Sequence, residues 1–145
     1  LLLSLLSACG NTSIVEEKFT RENGEWDMLD TLQCEFNITD TVGRYNFFLN
    51  VRNEASYPYS NFYVFVNTTL PNGFVAIDTV ECILATPSGK WTGSGLGDLR
   101  DNHILYRYNK RFPMGGKYKM ALQHAMRDSI VPAILNVGIS IEKAE

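Results

Sequence analysis

Apolar and polar positions alternate with period two along most of this chain. Cys34, Phe36 and Ile38 alternate with Glu35 and Asn37, and Tyr45, Phe47, Leu49 and Val51 alternate with Asn46, Phe48, Asn50 and Arg52. Further on, Phe62, Val64 and Val66 face Tyr63, Phe65 and Asn67 in the same way, as do Tyr118, Met120 and Leu122 against Lys119, Ala121 and Gln123. Successive side chains of an extended strand point to opposite faces, so this alternation predicts half-buried strands. Other strands are expected at 14–19, 75–85 and 104–112, and through Val137, Ile139 and Ile141. Turn residues punctuate them: Asn23-Gly24, the segment 40–43, Pro71-Asn72-Gly73, Pro87-Ser88-Gly89 and the segment 113–116. A short helical turn is expected within 126–135, broken by Pro132. Eight or nine short strands without an amphipathic helix of useful length predict an all-β fold, an antiparallel β-sandwich.

One run interrupts the alternation, Gly93-Ser94-Gly95-Leu96-Gly97. Its spacing is not that of a phosphate-binding loop, no Lys-Ser/Thr follows it, and no helix is expected to open after it. The missing Cβ atoms suit a flexible or bulged crossing between two sheets.

A different pattern occupies the first nine residues, Leu1-Leu2-Leu3-Ser4-Leu5-Leu6-Ser7-Ala8-Cys9. A short apolar run ending in small residues and a cysteine looks like the part of a bacterial lipoprotein signal nearest its cleavage point. The peptidase needs small side chains at Ser7 and Ala8, and the thiol of Cys9 is the acceptor for a diacylglycerol. Acyl chains contribute on the order of 0.8 kcal/mol per buried CH₂, so a doubly or triply acylated Cys9 holds firmly to a bilayer. The run is far below the roughly 20 residues that cross a membrane as a helix, and no other run approaches that length. Gly10 after the cysteine, in place of Asp, favours the outer membrane. The expected division is 1–8 as the signal remnant, 9–24 as lipidated cysteine and tether, and 25–145 as the sandwich domain.

With 145 residues and 45% hydrophobic content the chain is long enough for one domain with a proper core. The net charge of −3 gives a nucleic-acid role no electrostatic support. Charge is uneven, with Glu16, Glu17, Glu22, Glu25, Asp27 and Asp30 near the front and a basic stretch from Arg100 to Arg127. A basic flank suits an anionic lipid surface or an acidic partner, but the ordinary solvated side of a sheet is the better reading. Cys34 and Cys82 both fall on apolar phases. The compartment permits a disulfide between them, while separate burial of two thiols is the default. His103 and His124 stand alone, no CxxC or HxxxH spacing occurs, and neither metal nor cofactor is expected.

Hydrolysis would need a nucleophile with its base, or paired carboxylates in a cleft. Asp98, Arg100, Asp101 and His103 lie close in sequence, yet Asp in such a loop more commonly bonds its own backbone. Sugar stacking on Trp26, Trp91, Tyr57, Tyr59, Tyr63 or Phe74 is the stronger rival, although rings of this kind also build sandwich cores. Core is the better assignment for Trp91 and Phe62, and Tyr57 and Tyr59 stay open. Aromatic neighbours favour the cis form at Pro58.

From about residue 50 to 140 the chain resembles a known family. The resemblance rests on Val51-Arg52-Asn53, Tyr57-Pro58-Tyr59-Ser60-Asn61, Asp78-Thr79-Val80-Glu81-Cys82 and Gly89-Lys90-Trp91. It continues through Gly93-Ser94-Gly95-Leu96-Gly97-Asp98, Arg111-Phe112-Pro113, Gly116-Lys117-Tyr118, His124-Ala125-Met126-Arg127-Asp128 and Val137-Gly138-Ile139. On these motifs the chain resembles the gliding-motility lipoproteins called GldH, and the resemblance implies a cell-envelope lipoprotein of Bacteroidota that serves gliding and the associated secretion apparatus. Cys9 is the one residue role it carries over, as the lipidation site. The expectation is thus a non-enzymatic accessory component, anchored through acyl chains and working by contact with other envelope proteins. Tyr57, Tyr59, Asp98 and Arg100 are the candidate contact residues, and a glycan-binding outer-membrane lipoprotein is the alternative.

Overall fold

The computed structural model describes residues 13–145; Cys9 and the segment before it lie outside the described residues. Two four-stranded sheets face each other. The first takes the order β1 (Ser13–Thr20), β10 (Ile134–Lys143), β4 (Tyr45–Glu54), β7 (Leu99–Lys110). The second takes the order β3 (Leu32–Ile38), β8 (Gly116–His124), β5 (Asn61–Thr69), β6 (Val75–Ile83). A two-residue ribbon, β2 (Trp26–Asp27) with β9 (Ile130–Val131), closes one end. Every pairing is antiparallel. The all-β sandwich read from the alternation is the fold observed, and β1 is a full member of it, paired with β10 through Thr20 and burying Val15.

The alternation shows directly in the burial. Along β4, Tyr45, Phe47, Leu49, Val51 and Asn53 point inward while their neighbours are partly exposed. Leu49, Phe62, Val64, Met120, Leu122, Ile139 and Ile141 interdigitate between the sheets. Each such fully buried apolar side chain contributes about 1.5–3 kcal/mol. Trp26 is fully buried, its indole N–H donating to the Asp30 carbonyl at 2.7 Å while its ring packs on Phe62 and His124. Phe112 anchors the opposite end of the core among Tyr45, Phe47 and Tyr118, with centroids 5.2–5.5 Å apart.

The helical turn expected within 126–135 is not there. Pro132 supplies no N–H and disfavours the helical region at Val131, so the chain stays extended and forms β9. Ala133 then takes a left-handed φ of 59°, which turns the chain into β10. Pro58, expected to favour cis, is trans, since no cis peptide occurs among the described residues. The disulfide alternative also falls: Cys34 and Cys82 are free thiols on the two outer strands of one sheet. Three strand spacings of about 4.8 Å separate β3 from β6, twice the reach of a disulfide. Burial pushes the Cys34 thiol up to about 11 and the Cys82 thiol up to about 12.

Both sheets end at the same two levels. At one, here the proximal end, lie the start of β1, the end of β10 and the turns 39–44, 70–74 and 111–115. At the other, the distal end, lie the connections 55–60, 84–98 and 125–129. Ten residues of β4 at about 3.4 Å each set the two levels about 30 Å apart.

Candidate functional site

The distal end gathers the residues singled out in the sequence, with different fates. Tyr57 is buried, and its hydroxyl donates to the Asn61 carbonyl at 2.7 Å. Burial raises its phenol well above the ordinary range. Tyr59 is exposed at the surface and donates to the Asp128 carboxylate at 2.6 Å, a bond that raises its own phenol. This pair ties the β4–β5 connection to the β8–β9 connection. Asp128 was missed in the sequence because its partner lies 69 residues away.

Asp98, Arg100, Asp101 and His103 do not converge. Asp98 accepts the Ala55 amide through its backbone carbonyl, and the Arg100 guanidinium donates to the carbonyls of Gly97 and Leu99, both at 2.7 Å. Asp101 receives a bidentate grip from Arg52 at 2.7 and 3.1 Å, which holds its carboxyl below the ordinary range. His103 stacks on Phe48, contacts Asn50 through Nδ1, and sits 3.5 Å from Glu142. Arg100, Asp101 and His103 thus each engage a different partner, and Asp98 is held through its main chain.

Registers across the first sheet explain where these partners come from. Lys18, Gly138, Asn50 and His103 form one transverse row, and Thr20, Asn136, Arg52 and Asp101 form the next. Gly138 has no side chain to fill the middle of its row. The result is an open polar hollow of about 300 Å³ on the outer face, edged by Lys18, Asn50, Arg52 and Asp101. Beneath it, two buried asparagines cap the core: Asn102 Nδ2 donates to the Val51 carbonyl and to Asn53 Oδ1, both at 2.9 Å. Neither asparagine stood out in the sequence, since Asn on an apolar phase carries no spacing signal.

The glycine-rich run does cross from β6 in one sheet to β7 in the other. Ser94 bridges back to Asp101, and Gly95 and Gly97 adopt positive φ. Leu96 at its tip is 94% exposed. Of the rings considered for sugar stacking, Trp26 and Tyr57 belong to the core and Trp91 packs against it, whereas Tyr59 and Phe74 are exposed at opposite ends. A small cleft of about 190 Å³ opens between the sheets at the proximal end, floored by Tyr106, Phe112 and Met120 with Lys110 and Arg111 beside it. Among the described residues no group of three or more His, Cys, Asp or Glu is placed to hold a metal, and no helix is long and apolar enough to cross a membrane.

Two antiparallel sheets facing each other, with the irregular loops gathered at two ends, define an all-β sandwich. The family described as GldH lipoprotein matches residues 13–141, and the chain belongs to it. The gliding motility lipoprotein GldH homolog of Christiangramia forsetii is 33% identical over 97% of this chain and 90% of its own length. The gliding motility lipoprotein GldH of Flavobacterium johnsoniae is 28% identical over 97% and 91%. The protein is accordingly a member of a family of gliding-motility lipoproteins.

Proposed function

We propose that the chain is a non-enzymatic accessory component of the gliding-motility machinery and its associated secretion apparatus, held at the outer membrane by acyl groups on Cys9. It works by contact with other envelope proteins. The observation that carries this reading is the family match over nearly the whole sandwich. The site's geometry supports it: Asp101, Arg100 and His103 are each engaged by a different neighbour and not by one another. The distal loops, with Tyr59, Leu96 and Arg100, are the surface offered to partners. Replacing Cys9 with Ser removes the acyl acceptor, so the variant is expected in the soluble fraction after cell lysis, with gliding lost. A Cys9→Ser protein that still pellets with the envelope as before would count against the anchor. Recovery of a wild-type complex containing no other envelope protein would count against the accessory role.

A further inference from the structure

Register places the start of the described chain at one end of the molecule. Ser13 lies opposite Glu142, and the adjoining outermost row is Lys143, Tyr45 and Lys110. Cys9 precedes Ser13 by four peptide steps (9 to 13). Even fully extended, that chain spans about 14 Å. A bilayer holding acyl groups on Cys9 therefore lies within reach of the proximal end, whereas the distal end is about 30 Å further along β4.

The surface at that end has the composition a lipid interface requires. Val42 and Phe74, at the tips of two proximal turns, are 76% and 63% exposed. Arg44, Lys110, Arg111 and Lys143 stand on the same level and are exposed, against Asp40 and Glu145. Four cations thus stand against two carboxylates on the outermost level, with Glu142 one row further in. Asp40 accepts the amides of Val42 and Gly43 at 2.9 Å and the Tyr45 hydroxyl at 2.7 Å, which holds the turn so that Val42 projects. Arg44, Lys110, Arg111 and Lys143 form no ion pair within 4.0 Å among the described residues. Exposed apolar tips ringed by unpaired cations match the layered chemistry of a bilayer surface, with acyl chains beneath anionic headgroups.

We propose that the proximal end is a membrane-facing surface, with Val42 and Phe74 entering the headgroup layer and Arg44, Lys110, Arg111 and Lys143 meeting lipid phosphates. The proposal rests on the reading of Cys9 as the acylated residue. It adds an orientation: the sandwich stands upright on the bilayer and holds its distal loops away from it.

The test uses the full acylated protein reconstituted into vesicles of phosphatidylglycerol and phosphatidylcholine, with and without bromine on the acyl chains. Single tryptophans are introduced at already exposed positions as Val42→Trp, Phe74→Trp and Leu96→Trp, so folding is not challenged. Brominated lipid is expected to reduce the added emission at least twofold for Val42→Trp and Phe74→Trp and to leave Leu96→Trp unchanged. Adding Lys110→Gln and Arg111→Gln is expected to weaken that quenching in vesicles containing phosphatidylglycerol. If mass spectrometry finds the acyl groups on Cys9 and neither proximal tryptophan is quenched, the membrane-facing surface is wrong and the anchor survives. If no acyl mass is found on Cys9, both readings fall.

Discussion

A Cβ placed on Gly138 would meet the carbonyl oxygen of Glu17 at 2.3 Å. That oxygen belongs to the backbone of β1, so the conflict is relieved only by moving the strand. Gly138→Ala is therefore expected to cost about 1–3 kcal/mol, the usual penalty of overpacking. Faster hydrogen exchange of the β1 amides in the variant would show it, and unchanged protection there would refute the account. Asp40 offers a second test at this scale. Two backbone N–H groups and the Tyr45 hydroxyl favour its ionised form and lower its carboxyl to about 2. A carboxyl depressed in the folded state contributes stability above its unfolded value, near 4, and loses that contribution as pH falls toward 2. The wild type is thus expected to melt above Asp40→Asn at neutral pH, with the gap closing between about pH 4 and pH 2. A gap that stays constant over that range would remove Asp40 from the account. At this scale the sequence was only partly legible: Cys82 is buried as its phase required, whereas Cys34 is half-buried, and whether the two meet depends on strand order, which neither residue records.

Strands with clean alternation were readable almost to the residue. Leu49 and Val51 on β4, Val64 and Val66 on β5, and Met120 and Leu122 on β8 are buried as their phase required. β6 behaved differently. Only Val80 and Cys82 are buried within it, while Val75 and Ile77 are 46% and 67% exposed. Register sets Val75 and Ile77 opposite Thr69 and Asn67 on the outer face, while the inner phase runs Ala76, Asp78, Val80, Cys82, with Asp78 gripping Arg107 of β7 at 2.9 and 3.0 Å. Apolar residues fall on both phases of β6, and which phase faces the core is decided by its pairing with β5. The segment 126–135 misled for a related reason. Its apolar spacing fits a helical turn, yet the extended path wins because Val131 pairs with Trp26 and the Ala133 carbonyl accepts the Glu54 amide. Tertiary partners distant in sequence decide such a segment, and local pattern does not contain them.

For the molecule as a whole, the two ends carry different chemistry, and that division follows from connectivity. The up-and-down succession of β3 to β8 sends the turns at 39–44, 70–74 and 111–115 to the level where β1 starts. The same succession collects Tyr59, Asp128, Leu96 and Arg100 at the other level. If the proximal level meets lipid, the distal level is the one turned toward the rest of the envelope machine. Its groups are suited to docking. Leu96 stands clear of the surface on a loop whose base is fixed by the Ser94–Asp101 bridge and by Arg100 holding the carbonyls of Gly97 and Leu99. A rigidly based apolar tip loses little conformational freedom on docking, which favours binding. Photo-reactive residues placed in cells at Leu96 and Tyr59 should therefore crosslink to envelope proteins. The same residues at Gln33 and Glu35, on the outer face of the second sheet, should give far fewer adducts, and Val42 should give lipid adducts. Protein adducts spread evenly over all these positions would mean that contact is not organised by the ends, and the upright orientation would lose its functional meaning.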